Sequence, residues 1–273
     1  MKWSSTLDAP LSSESFAITD AHYGRTSAIY ECRACGFRQC TELPEVLSYY
    51  ETLEDPDYEK GSRERILQSR KLLDHLQRHA TTGSLLDVGA GSGNLVEAAL
   101  ELRFQAEGIE PSVWLQIQAE KRKLPVKRGI LNDLPEDKRF DVITLVDVIE
   151  HVADPMHLLR EIRMRLVSGG LALIVTPDCG SFMARLLGRK WWHYRIAHIG
   201  YFNKSNLRLA CEKSGFKITT MKRPGWYFTM DYLWVRLMQY FPRWLRLKPA
   251  GWMTKITVPI NLRDSLLVIA RRP

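Results

Sequence analysis

The stretch Ser84-Leu-Leu-Asp-Val-Gly-Ala-Gly-Ser-Gly-Asn94 decides how this chain is read. Residues 85–88 are a short apolar run, Gly89, Gly91 and Gly93 alternate after it, and Leu95-Val-Glu-Ala-Ala-Leu100 then takes helical spacing. That pattern predicts a buried strand, a tight turn and a helix. Glycine suits the turn because the chain must reverse within a few residues, and because a missing Cβ lets a ligand lie against bare backbone. The loop therefore reads as a nucleotide seat. A dinucleotide fingerprint would place its third glycine where Asn94 stands and leave helix amides free for a pyrophosphate. Here the third glycine is Gly93, and Asp87 at the strand end repels a pyrophosphate while suiting a ligand that carries positive charge.

Outward from this loop, strands alternate with helices. Residues 105–110 read as a second strand, ending in Glu110 where a carboxylate can accept from both hydroxyls of a ribose. Residues 125–129 are a short third strand. Phe140-Asp-Val-Ile-Thr-Leu-Val146 is nearly continuous in apolar residues, as a strand buried on both faces should be. A pocket in such a sheet opens at the carboxyl ends of its strands, so Asp147 and His151, just beyond, are expected to face it. Residues 158–166 are amphipathic, Gly169-Gly170 is expected to end that helix, and residues 171–176 form a fifth strand. Residues 216–221 and 265–270 supply two more.

In this order the motifs resemble those of the class I S-adenosylmethionine-dependent methyltransferases, of the small-molecule, glycan and quinone type. The resemblance rests on Asp87 with Gly89, Gly91 and Gly93, on Glu110, on Asp147-Val-Ile-Glu-His151 followed by Asp154-Pro155, and on His198-Ile-Gly-Tyr-Phe202. It runs from residue 85 to 177 and resumes at residue 198. It implies S-adenosylmethionine as cofactor, held by Asp87, Gly89, Ala90, Gly91, Gly93, Asn94, Glu110 and Asp147, and a last strand that adds antiparallel. Many members carry an acid after the third strand to accept from the adenine amino group. Here Ile130 stands there, so adenine is expected against Ile130 and Leu131, or against Asn132 or Asp133 of a shifted loop. His151 and His198 are the candidate catalytic residues, as base or substrate clamp. His151 has a competing role as a helix-start residue that holds the strand end.

The composition suits this reading. With 45% hydrophobic and 26% charged residues, the 273-residue chain has the make-up of a globular protein. No apolar run approaches the roughly 20 residues of a membrane span, and the start lacks the apolar core of a signal peptide, so a cytoplasmic protein is expected. The five cysteines, an odd number, suit free thiols. Cys32-Arg-Ala-Cys35 with Cys40 looks like half of the zinc ribbon that some relatives carry. His22 could complete a ligand set, but a hairpin with reduced thiols is the expectation, and no metal is assigned to the active site. Residues 1–20 read as a loosely held leader. Tyr49, Tyr50 and Tyr58 resemble the aromatic lead-in that folds over the donor pocket in this family.

The formal charge of +8 is unevenly placed. Residues 1–221 carry 29 basic and 29 acidic side chains, residues 222–273 carry 10 and 2. Within that basic part, Met230, Leu233, Trp234, Leu237, Met238 and Phe241 recur as one helix face, and Pro242 ends the run. The face can pack on the domain, or, flanked by Arg236, Arg243, Arg246 and Lys248, it can serve as an interfacial surface at the inner face of a membrane.

The expected fold is thus α/β and Rossmann-like: a mostly parallel seven-stranded sheet between helices. Residues 1–59 form a leader and knuckle, residues 60–273 the catalytic domain, and residues 224–263 a helical cap inserted into it. The expected reaction is methyl transfer from S-adenosylmethionine to oxygen or nitrogen of a small or lipid-linked acceptor. Two other classes compete. An RNA methyltransferase would use the basic C-terminal surface, yet residues 147–150 lack the Pro-Pro-aromatic pattern that holds a flipped base for amino methylation. The other is a non-catalytic S-adenosylmethionine-binding protein that keeps the fold, and the intact Gly89, Gly91, Glu110 and Asp147 count against it.

Overall fold

The computed structural model describes every residue except 8–10, 20–22 and 44–45, together with the side chain of Arg243. At the amino terminus β1 (Ile29–Glu31) and β2 (Arg38–Cys40) form a short antiparallel hairpin, followed by α1 (Leu47–Glu51), α2 (Pro56–Lys60) and α3 (Ser62–Leu76). The first residues are not loosely held. Trp3 bridges to Ile29, and Phe16 is fully buried with its ring stacked on Tyr49. Both join an apolar cluster with Trp191, Tyr194 and Tyr201 from the far half of the chain. Large aromatics in a serine-rich segment thus outweigh its lack of periodicity.

Cys32 and Cys35 meet at the turn of the hairpin, within hydrogen-bond reach of each other, but Cys40 does not join them. Cys32 is exposed on the turn, whereas Cys40 is buried in the apolar cluster with its thiol 3.9 Å from the Ser27 carbonyl. Among the described residues no group of three metal-ligating side chains includes a cysteine, and His22 lies outside the described residues.

The domain that follows is built from β3 (Ser84–Val88), α4 (Asn94–Glu101), β4 (Gln105–Glu110), α5 (Val113–Lys121), β5 (Val126–Arg128), β6 (Phe140–Val146), α6 (Pro155–Arg165), β7 (Leu166–Pro177), α7 (Phe182–Leu187), β8 (Gly200–Tyr201), α8 (Lys204–Lys213), β9 (Lys217–Lys222), β10 (Trp226–Thr229), α9 (Met230–Met238), β11 (Thr257–Ile260) and β12 (Ser265–Arg271). Seven strands make one sheet in the order β5-β4-β3-β6-β7-β12-β9. β5, β4, β3, β6 and β7 are mutually parallel, and β12 runs antiparallel between β7 and β9. Apolar clusters cover both faces, one around Leu86, Ile143 and Val268, the other around Leu85, Val142 and Leu267, as the period of two along each strand requires. β8 leaves this sheet and pairs with β2, which ties the hairpin to the domain.

Two boundaries differ from the sequence reading. α6 ends at Arg165, whose guanidinium bonds the carbonyls of Leu134 and Pro135, and β7 begins at once. Gly169-Gly170 therefore lies inside a strand, where the register against β6 shifts, rather than ending the helix. The cap is also less helical than expected. Its base is a two-stranded ribbon, β10 against β11 from Trp226↔Ile260 to Thr229↔Thr257, and α9 stands on that ribbon. Gln68 Nε2 donates to the Gly225 carbonyl and Thr257 Oγ1 to Glu64 Oε1, both at 2.7 Å, so the ribbon is fixed to α3.

Candidate active site

At the carboxyl ends of β3, β4 and β6 lies one large cavity of about 850 Å³. The glycine loop forms its floor. Gly89 and Gly91 have φ of +70° and +55°, where side chains are strained. An added Cβ would stand 2.7 Å from Val148 Cγ2 at the first and 2.7 Å from the Tyr58 hydroxyl at the second, so a side chain at either position would have to displace its neighbour. Gly93 does not line the cavity. It caps α4, and Leu124 occupies the space beside it at 2.8 Å from where a Cβ would lie.

The remaining residues expected around the cofactor, Asp87, Gly89, Ala90, Gly91, Asn94, Glu110, Ile130, Leu131 and Asp147, all line the cavity. Asp87 accepts from Thr144 Oγ1 at 2.6 Å on the neighbouring strand. Glu110 is held on both oxygens: the Gly91 N–H donates to Oε2 and the Ser112 N–H to Oε1, each at 2.8 Å. The carboxylate thereby fastens the glycine loop to the start of α5 and keeps lone pairs for a ligand. Asp147, just past β6, has the uncommon φ of +54°. Asp133 turns back to accept from the Ile130 N–H at 2.8 Å, whereas Asn132 lines the cavity. Burial pushes Asp87, Glu110 and Asp147 each up to about 7, because a carboxylate in a closed pocket loses its hydration. So many buried acids make a site that gains by taking in a cation.

His151 and His198 also meet here, their rings 4.8 Å apart. His151 Nδ1 lies 2.7 Å from the Ala197 carbonyl and 2.6 Å from the Tyr50 hydroxyl. A carbonyl only accepts, so Nδ1 carries the proton and Nε2 keeps a free lone pair. Burial drives His151 down to about 4 and His198 well below its usual value, with Arg195 lowering both further. Both rings are neutral at physiological pH. Glu150, fully buried, is pushed well above the usual range, first by burial and then by Asp147. Its Oε1 and His198 Nδ1 have no hydrogen-bond partner among the described residues. Glu150, His151 and His198 each bring one ligand atom within 4.8 Å of the others, a spacing that could hold a cation.

Several lining residues escaped the sequence reading. Arg195, nearly buried, bonds the Ala17 and Ile18 carbonyls, and beside it lie His193, stacked on His198, and Asp264, within 3.7 Å of His193 Nε2. The available signal was the density of aromatic and ionisable residues in Trp191-Trp-His-Tyr-Arg-Ile-Ala-His198. Of the three tyrosines singled out ahead of α3, Tyr50 and Tyr58 line the cavity, as does Tyr23, whereas Tyr49 packs only on the apolar cluster. The opposite wall is the cap, with Trp226, Phe228, Leu233 and Leu237.

A family model described as a methyltransferase domain matches residues 60–221. The chain belongs to this methyltransferase family. Its cofactor is S-adenosylmethionine, the positively charged ligand that the pocket of acids suits. Among solved structures, an S-adenosylmethionine-dependent methyltransferase of Archaeoglobus fulgidus shares the fold with a TM-score of 0.55 at 16% identity, covering 80% of this chain and 100% of that one. One from Thermotoga maritima does so with a TM-score of 0.52 at 20% identity, covering 80% and 95%. Among curated relatives, the mitochondrial ubiquinone biosynthesis O-methyltransferase of Candida albicans is 36% identical over 104 residues, 34% of this chain and 32% of that protein. The ubiquinone biosynthesis O-methyltransferase of Rhodopseudomonas palustris is 30% identical over 122 residues, 42% of this methyltransferase and 44% of that protein. The chain thus spans a third to under half the length of these relatives.

Proposed function

We propose that this protein transfers the methyl group of S-adenosylmethionine to a hydroxyl of a phenolic, amphipathic acceptor of quinone-precursor type. The observation that carries the reading is one cavity in which the glycine loop and Glu110 meet a neutral histidine pair and an apolar cap wall. In the reading, Glu110 takes the ribose hydroxyls, Ile130, Leu131 and Asn132 flank the adenine, and Asp87 and Asp147 face the cationic end of the donor. The sulfonium is already reactive, so the rate gain comes from aligning acceptor oxygen, methyl carbon and sulfur with water excluded. His151 Nε2 or His198 Nδ1 takes the hydroxyl proton. A base held as low as about 4 is weak, which favours a phenol, with a pKa of about 10, over a far less acidic aliphatic alcohol. The names of the O-methyltransferase relatives point to the same acceptor class.

One observation favours a second use of the same groups. A divalent cation between Glu150, His151 and His198 would satisfy both orphaned atoms and could itself acidify a bound hydroxyl. The test is incubation of the protein with S-adenosylmethionine and a catechol bearing an apolar tail, with mass spectrometry of the product, before and after exhaustive chelation. Methylation at oxygen supports the reading, and its persistence after chelation assigns the proton to a histidine. Loss on chelation with recovery on adding Zn²⁺ or Mn²⁺, which suit two imidazoles and a carboxylate, assigns the cluster to a cation. Methylation of simple amines in preference to phenols overturns the acceptor class.

A further inference from the structure

The cap carries a second surface, outside the cavity. From the end of α9 onward the chain exposes large apolar side chains in succession: Leu237, Phe241, Trp244, Leu245, Leu247 and, past the next turn, Trp252. Trp244 is 82% exposed and Leu247 67%. They belong to one body. Trp234 Nε1 donates to the Leu247 carbonyl at 2.8 Å, and Arg246 Nε to the Phe241 carbonyl at 3.0 Å, folding residues 241–247 back on α9. The Tyr240 hydroxyl donates to the Lys190 carbonyl at 3.0 Å, which sets this surface beside the turn that leaves α7. α7 itself bares Phe182 and Leu186, one helical turn apart. Soluble chains seldom expose so many large apolar groups in one region without covering them.

Charge indicates what covers them. Arg246, Lys248 and Lys255 stand among these residues, and Arg185, Arg189 and Lys190 border them. The acids are turned away. Residues 179–211 contain none, and of the two in residues 222–273, Asp264 is buried and Asp231 is half-buried with Oδ1 enclosed. Tryptophans and leucines standing out among lysines and arginines, with no exposed carboxylate in these two segments, match the headgroup boundary of an anionic bilayer. An obligate protein interface would instead deplete its core of charge. No helix among the described residues is long and apolar enough to cross a membrane, so contact would be with one leaflet.

The cavity opens onto this surface. Leu237 and Tyr240 both line the cavity and are exposed, so its rim is continuous with the apolar patch. We propose that the cap and α7 dock on the surface of a bilayer containing anionic lipid, and that the cavity mouth then faces the leaflet. The docking stands on exposure and charge. Its use, to pass an amphipathic acceptor from leaflet to cavity without crossing water, rests on the function proposed above.

Sedimentation of the full chain with phosphatidylcholine vesicles, with and without phosphatidylglycerol, tests the docking in the absence of any acceptor. Binding to the anionic vesicles is expected at low salt, weakening as salt rises, with little binding to neutral ones. The double variant Lys248→Ala/Lys255→Ala, at two exposed cations, should lose about fivefold per cation removed, the equivalent of about 1 kcal/mol each. Trp244→Ser/Leu247→Ser should also release the protein, while S-adenosylhomocysteine binding stays unchanged because neither residue lines the cavity. No sedimentation with anionic vesicles at low salt overturns the proposal. So does self-association in solution that Trp244→Ser/Leu247→Ser abolishes, which would assign the patch to a second copy, or RNA binding that the cation variants abolish while vesicle binding persists. If docking holds but a tailed phenol is not methylated, the acceptor reading fails and the docking surface remains.

Discussion

Glu110 is the residue on which donor binding can be tested most quantitatively. Its two oxygens accept the amides of Gly91 and Ser112 at 2.8 Å, bonds to a charged acceptor worth about 1.5–3 kcal/mol each. Alanine would orphan both buried amides at roughly 1–3 kcal/mol apiece, a large share of a typical stability of about 5–15 kcal/mol, so it confuses folding with binding. Glutamine is the sharper probe. It leaves one buried amide without its acceptor rather than two, and presents an NH₂ where the second ribose hydroxyl needs an acceptor. One charge-assisted bond to the ligand is lost, which corresponds to binding about 10- to 100-fold weaker. The assay is calorimetric titration of Glu110→Gln with S-adenosylhomocysteine, after a melting curve shows a cooperative fold. A folded variant that binds as tightly as the parent would refute the assignment of this carboxylate to the ribose.

Other outcomes follow from the same geometry. Gly91→Ala should lose donor affinity, since the left-handed backbone costs about 1–2 kcal/mol and the new Cβ meets the Tyr58 hydroxyl at 2.7 Å. Adding Tyr58→Phe should restore part of the loss, and no restoration would show that the contact is unimportant. His151→Ala and His198→Ala should lose about 10²- to 10⁴-fold in turnover yet keep S-adenosylhomocysteine binding, and normal turnover in both would leave alignment alone to carry the reaction. S-adenosylmethionine affinity should rise as pH climbs through about 7, because Asp87 and Asp147 must ionise to meet its charge and Glu110 to accept from its ribose at full strength. These raised values stabilise the free protein at pH below about 4, and that contribution is lost as pH rises through about 7. The thermal shift given by the donor should therefore be larger near pH 8 than near pH 6. A flat profile for S-adenosylmethionine would contradict the pairing of Asp87 and Asp147 with its cationic end.

What could be read from the sequence was what the chain writes locally. A strand running into alternating glycines, an acid at the next strand end and the Asp147-x-x-Glu-His pattern each specify a short backbone path, and the parallel sheet brings those ends together. The antiparallel direction of β12 came from the family resemblance, not from the residues, and the order of the strands came from the structure. The rest depends on long-range partners. Arg195 joins the site only because residues 17 and 18, far away in sequence, offer it two carbonyls, and Phe16 is fixed by a cluster whose other half starts at Trp191. Gly169-Gly170 looks like a helix stop until β6 is placed beside it. The α9 stripe was legible as a helix face, but its two fates, cavity wall at Leu233 and exposed rim at Leu237, are decided by the β10–β11 ribbon that positions it.

The central claim is that the cavity at the ends of β3, β4 and β6 is the seat of the methyl donor. Calorimetric titration of the unmodified protein with S-adenosylhomocysteine tests it most directly. The account predicts saturable binding at one equivalent per chain, accompanied by a rise in melting temperature. A folded protein that gives neither heat nor thermal shift up to saturating ligand would contradict it.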